Sequence, residues 1–283
     1  MISFIVTARN DDYGTNISNT FLDRFYTATS INLEIISGFN IPYEYLVVEW
    51  SPIKEYLIFE KRFRTLFENN KNLINIIVSP SVAINDNLNP FRFYEYFAKN
   101  VGIRNAKYDS LIILNADIVI PFYAMNYYVK LVTEGYDKLD YFRPLIRSSV
   151  NMQLQTIERY KIDCSDEPKL KACGSYPGDL FLVNKQTIIE KAQGFDETNI
   201  LHRSYDYSQR GMDSEIMWNM YLNGCKLKYF DCDYFHIEHE HGTHESFDTD
   251  VWGFNSYGYE NRPDWGYINY NKVKVSDQLI IIS

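Results

Sequence analysis

Cysteine is scarce in this sequence. Cys164, Cys173, Cys225 and Cys232 are scattered, and no two of them form a C-x-x-C pair. That spacing argues against a zinc knuckle and a dithiol redox site, and an even number alone shows no pairing. Long apolar runs are missing too: none approaches the roughly 18–20 residues that cross a bilayer, so no transmembrane segment is expected. A basic excess is also absent. With 28 Lys and Arg against 37 Asp and Glu, the formal net charge is −9. Nothing basic is available to coat a phosphate backbone, which sets aside nucleic acid as a general partner. The opening Met1-Ile2-Ser3-Phe4-Ile5-Val6 has no basic leader and turns polar by Arg9-Asn10-Asp11-Asp12, unlike a secretory signal. These absences lead us to expect free thiols, a reducing compartment and a cytoplasmic location.

What is present is enough apolar material for a core: 46% of 283 residues are hydrophobic and 23% charged, unlike a disordered chain. Short β-prone apolar runs recur at Ser3 to Ala8, Tyr45 to Glu49, Leu73 to Val78 and Ser110 to Leu114. Segments of helical length separate them, at Asn16 to Asn32 and at Pro90 to Ala106, where Phe93, Tyr96, Phe97 and Val101 recur at helical spacing. Strands alternating with helices imply crossover connections, hence an α/β fold with a mostly parallel central sheet. Further on, Arg147 to Ala172 reads as an irregular excursion, Asp179 to Asn184 as a strand and Lys185 to Ala192 as a short helix. Met212 to Leu222 reads as a helix stopped by Asn223-Gly224, and Lys226 to Phe230 and Asp233 to Ile237 as two strands. We expect one domain over 1–245 and an extension, 246–283, that wraps it.

In open α/β sheets ligands sit beyond the carboxyl ends of the strands, so the residues that follow each run carry the interest. After Leu111-Ile112-Ile113-Leu114 comes Asn115-Ala116-Asp117. An amide and a carboxylate at a strand end can hold a hard divalent cation that neutralises a diphosphate; an Asx-turn closing the strand is the plainer alternative. Four of the five histidines crowd into His236-Ile237-Glu238-His239-Glu240-His241 and His244. A turn after Ile237 would aim His236 and His239 at one ion, and borderline metals accept imidazole beside carboxylate; a solvated polar loop is the competing reading. The spacing is not His-Glu-x-x-His, which argues against a zinc protease. Asp213 and Glu215 open the Met212 helix. Acids in a first helical turn complement the dipole, but Asp213 could also serve as a general base.

Taken in order, these pieces resemble the GT-A glycosyltransferases, the nucleotide-diphospho-sugar transferases of families 2 and 7, over roughly residues 2–245. Phe4 to Asp11 resembles the opening nucleotide-binding strand and turn, and Val47-Val48-Glu49-Trp50-Ser51 the second strand with its acid. Lys99-Asn100-Val101-Gly102-Ile103-Arg104-Asn105-Ala106 is similar to the N-x-G-x-x-x-A helix, and Asn115-Ala116-Asp117 stands where the family has Asp-x-Asp. Gly178 to Val183 and Gly194-Phe195-Asp196-Glu197 resemble the acceptor-side strand and turn. Gly211-Met212-Asp213-Ser214-Glu215 resembles the Glu-Asp-x-Glu helix start, and His236-Ile237-Glu238-His239 the closing metal-ligand segment.

The resemblance implies a Rossmann-like GT-A fold and an inverting transfer from a UDP-linked nucleotide sugar to a glycan, lipid-linked or protein acceptor. It places Thr7, Arg9 and Glu49 at the nucleoside, Lys99 and Asn115 near the nucleotide and Asp179 at the donor sugar or acceptor. Asp117, with His239 and His236, would bind Mn²⁺ or Mg²⁺, and Asp213 would be the catalytic base. Asn115 departs from the family's first Asp, Gln193 from a Gly and Met212 from a Glu, which leaves donor identity and metal dependence open. Two rivals stand beside it. A sugar nucleotidyltransferase would use a related fold, but no Gly-rich, Arg/Lys-containing loop follows the first strand to grip a triphosphate. A non-catalytic nucleotide- or glycan-binding module would fit the substitutions at Asn115 and Met212.

Overall fold

The apolar runs become strands where β-branched residues can be covered on both faces. The structure, a computed structural model, describes residues 1–9, 20–52, 63–86, 88, 94–150, 170–171, 179–197, 212–239, 261 and 263–283. The first half runs β1 (Ile2–Ala8), α1 (Phe21–Ser37), β2 (Tyr43–Trp50), α2 (Arg64–Asn69), β3 (Leu73–Val78), α3 (Pro80–Asn85), α4 (Glu95–Asn105) and β4 (Ser110–Leu114). After it come β5 (Ile118–Val119), α5 (Phe122–Glu134), β6 (Asp140–Val150), β7 (Leu170–Lys171), β8 (Leu180–Asn184), α6 (Met212–Leu222), β9 (Lys226–Ile237), β10 (Lys272–Ser276) and β11 (Leu279–Ile282). Among the described residues the strands form one eleven-stranded sheet in the order β10-β11-β3-β2-β1-β4-β8-β6-β9-β5, with β7 also on β9. The fold is α/β around this large sheet. Its centre, β11-β3-β2-β1-β4, is parallel, and β8 joins β4 antiparallel.

Alternation along β1 divides the interior in two. Phe4, Val6 and Ala8 pack with Phe25, Ala28 and Leu33 of α1, whereas Ile5 packs on the other face with Val48 and with Val101 of α4. Helix α1 starts with a capping box: the Asp23 backbone N–H donates to Thr20 Oγ1 (3.2 Å) and the Thr20 N–H donates to Asp23 Oδ2 (3.0 Å). Helix α4 lies so close to the sheet that a Cβ at Gly102 would collide with Ile5.

Several elements differ from expectation. The two strands read at Lys226 to Phe230 and Asp233 to Ile237 are one strand, β9. Its pairing with β6 shifts by one residue between Pro144 and Ile146, a bulge in which Asp231 and Cys232 stand against the single Leu145. Strand β6 runs to Val150, into the segment read as irregular. The short helix at Lys185 winds as α over Lys185–Thr187 and as a wider π turn over Ile188–Ala192. In the tail, β11 pairs parallel with β3 and β10 forms the sheet edge. Trp265 and Tyr267 are buried against α4 and Trp50. Cys225 and Cys232 are free and buried; Cys164 and Cys173 lie outside the described residues. No described helix is long and apolar enough to cross a membrane.

Candidate functional site

The turn that ends β4 is held from four sides. The Asn115 N–H donates to the Asp179 carbonyl (3.0 Å), and the Ile118 N–H closes the turn on the Asn115 carbonyl (3.2 Å). The Ile237 N–H donates to the Asp117 carbonyl (2.9 Å), while β5 pairs Ile118 with His236. From α1, the fully buried Asn32 donates through Nδ2 to the Ile118 carbonyl (2.9 Å) and accepts from the Ile120 N–H (2.8 Å). These backbone hydrogen bonds fix where Asp117 stands.

Strand β9 ends at Ile237, and the Glu238 N–H donates to the Val150 carbonyl at 2.9 Å. The chain leaving the sheet there brings His239 back beside His236, their rings 5.1 Å apart. His239 Nε2 lies 3.1 Å and His236 Nε2 3.4 Å from the same oxygen, Asp117 Oδ2. One donor atom from each residue falls within 4.8 Å of the others. Burial opposes ionisation of Asp117, but hydrogen bonds and charge from His236 and His239 outweigh it and hold the carboxyl well below the usual carboxylate range. Two imidazole nitrogens and one carboxylate oxygen suit a borderline divalent ion such as Mn²⁺, Zn²⁺ or Fe²⁺.

The remaining candidates lie near this turn or at the neighbouring strand ends. Lys99, fully buried on α4, donates from Nζ to Asn115 Oδ1 (2.8 Å) and pairs with Glu95 Oε1 (2.8 Å). Val6 pairs with Leu114, so Thr7 and Asn115 leave the β1–β4 ladder together. Ala8 pairs with Glu49, which places Thr7, Arg9 and Glu49, all buried, at the carboxyl ends of β1 and β2. Asn75 of β3 donates to Glu49 Oε2 at 3.2 Å. Asp179 precedes β8 and accepts from the Tyr234 hydroxyl at 2.8 and 3.0 Å and from Arg143 Nη2 at 3.4 Å. Asp213 lies in the first turn of α6, and its side chain is outside the described set. His241 and His244 also lie outside it.

Sequence reasoning passed over three supporting residues. Asn32 is a polar residue between Ile31 and Leu33 on a buried helix face, which is the pattern that could have marked it. Tyr234 precedes His236 by two positions on β9, so the two share a strand face. Arg143, buried in β6, stands next to Pro144, a residue unfavourable in a central strand.

The turn after Ala192 is also tightly fixed. Gln193 and Gly194 take left-handed backbone angles (φ 56° and 76°), and a Cβ on Gly194 would come 2.5 Å from Asn100 Oδ1. Asn100 donates to the Phe195 carbonyl (2.9 Å) and to Glu197 Oε1 (2.8 Å), and Asn261 accepts from the Glu197 N–H (2.8 Å). The C-terminal segment thus locks this turn onto α4.

No protein-family model matches the sequence, and no curated protein matches it. Among solved structures the chain is similar to S. aureus TarS, residues 1–349, with 12% identity and a TM-score of 0.51, over 83% of this chain and 60% of that one. Against the same protein in complex with UDP the values are 11%, 0.50, 84% and 60%. Against its complex with UDP-GlcNAc they are 12%, 0.52, 84% and 59%. The likeness establishes a shared fold, and the chain spans about 60% of the length of the structures it matches.

Proposed function

We propose that this protein is a nucleotide-sugar glycosyltransferase of the GT-A type that moves a sugar from a UDP-linked donor to a hydroxyl acceptor. The observation that carries the reading is the convergence of Asp117, His236 and His239 just beyond the carboxyl end of β4. That is where an open α/β sheet binds its ligand. The structures sharing the fold include one holding UDP and one holding UDP-GlcNAc, which supports the donor class. We assign residues 1–245 to the transferase domain and 246–283 to an extension of it, a reading supported by the pairing of β11 with β3.

In this proposal Asp117, His236 and His239 hold the cation, Mn²⁺ fitting the mixed donor set better than Mg²⁺. A cation bound there would neutralise charge on the departing diphosphate. Thr7, Arg9 and Glu49 hold the nucleoside; a buried carboxylate at the end of β2 can accept from an N–H of the base. Asp179, oriented by Tyr234 and Arg143, retains lone pairs for a hydroxyl of the donor sugar or acceptor. Asp213, opening α6, takes the proton of the acceptor hydroxyl as that oxygen attacks the anomeric carbon in line, which inverts the centre. The acceptor is a glycan, lipid-linked or protein hydroxyl.

A thermal-shift panel of UDP-, GDP-, CDP- and dTDP-sugars, each with and without Mn²⁺, tests the reading, because a ligand of the native state raises its apparent stability by mass action. A shift with UDP-sugars that grows with Mn²⁺ is expected. No shift with any nucleotide up to millimolar concentration would overturn it. Asp213→Asn should abolish transfer while leaving that shift in place; equal loss of both would remove Asp213 from the role of base.

A further inference from the structure

The Asn115 side chain has only one orientation that its surroundings allow. A lysine ammonium carries three donors and no acceptor, so the atom of the amide 2.8 Å from Lys99 Nζ is the oxygen. The ammonium itself is held by Glu95 Oε1 at 2.8 Å and stands 5.4 and 5.2 Å from the ring centroids of Tyr96 and Phe195. With both backbone neighbours of the turn also tied, the planar amide sets Nδ2 on the side away from Lys99. Asn115 is half-buried, and among the described residues Nδ2 donates to no acceptor. An oxygen already accepting from a buried ammonium is a poor ligand for a second cation, because the two positive charges would repel at short range. The same ammonium polarises the amide and strengthens its N–H as a donor.

We propose that Lys99 is a positioning residue that fixes Asn115 as a hydrogen-bond donor to a phosphoryl oxygen of a nucleoside diphosphate, and so keeps Asn115 out of the cation's donor set. The proposal rests on the nucleotide-sugar reading above. It gives the Asn115 departure a physical purpose. Here the strand end offers an anion one carboxylate fewer to repel it and one N–H more to bind it.

The test uses two titrations of the full chain: UDP in the presence of EDTA, and Mn²⁺ alone. Asn115→Ala should weaken UDP binding roughly tenfold, the scale of one hydrogen bond to a charged group. It should leave Mn²⁺ affinity within about twofold, since no ligand is removed. Lys99→Met should weaken UDP binding to the same extent, and the double variant should be no worse than either single one, as coupled partners behave. Lys99→Arg, which retains a donor, should restore part of the loss. Asn115→Ala lies on a half-buried turn and carries the test by itself if Lys99→Met does not fold. A tenfold loss of Mn²⁺ affinity in Asn115→Ala, or UDP binding unchanged by it, would overturn the proposal and leave the nucleotide reading standing. A wild-type protein that binds no UDP at millimolar concentration would overturn both.

Discussion

Replacing Asn32 with alanine removes two hydrogen bonds from the interior at once. Nothing polar replaces them, because Asn32 is fully buried between α1 and the strand-end segment that carries Asp117. The Ile118 carbonyl and the Ile120 N–H would each lose a partner, and an orphaned buried polar group costs about 1–3 kcal/mol. Partial relaxation around the smaller side chain brings the expected total to about 3 kcal/mol rather than the full sum. With an m-value of roughly 3 kcal/mol/M, suited to a chain of this length, the urea midpoint should fall by about 1 M. The assay is equilibrium urea denaturation followed by far-UV circular dichroism and by tryptophan fluorescence. Mn²⁺ affinity should fall as well, because the turn bearing Asp117 loses its brace from α1. A midpoint shift below about 0.3 M would refute the claim that Asn32 holds this turn.

Three other perturbations follow from the same structure. Gly102→Ala drives a Cβ into Ile5 and Val48 and should cost about 1–3 kcal/mol by overpacking, read from the same urea curves, with Ile5→Ala relieving part of the loss. Burial pushes the Tyr45 hydroxyl from 10.0 up to about 12, partly offset by the polar side chains of Asn32 and Thr29 beside it. A raised folded pKa means that Tyr45 contributes fully below pH 10 and loses its contribution as the pH rises towards 12, so Tyr45→Phe should flatten the fall in urea midpoint over that window. Gly194→Ala places a side chain against Asn100 and Trp265 at a left-handed position; it should destabilise the fold by at least about 1 kcal/mol, measured as a lower thermal midpoint.

The parts of the fold written in local pattern were legible. Leu73–Val78, Ser110–Leu114 and Met212–Leu222 stand where apolar runs and turn residues put them. The crowding of histidines drew attention to His236 and His239, and the strand-end position drew it to Asp117. What stayed hidden depends on contacts distant in sequence. Asn32 meets Ile118 and Ile120 across more than eighty positions, and no local pattern announces that meeting. Strand β6 carries Pro144, a residue that argues against a central strand but here stands beside a bulge. The resemblance put Lys99 near the nucleotide; that its ammonium lies on Asn115 and Glu95 is revealed only by the packing of α4 on the sheet.

The central claim is that Asp117, His236 and His239 hold a divalent cation beside a nucleotide site. Titration of metal-free protein with Mn²⁺, with the free ion read by electron paramagnetic resonance, tests it most directly. One Mn²⁺ should bind per chain, with at least roughly tenfold weaker binding in His239→Ala and in Asp117→Asn, and tighter binding when UDP is added. Wild-type protein that leaves the Mn²⁺ signal undiminished, or that loses no affinity on either substitution, would contradict it.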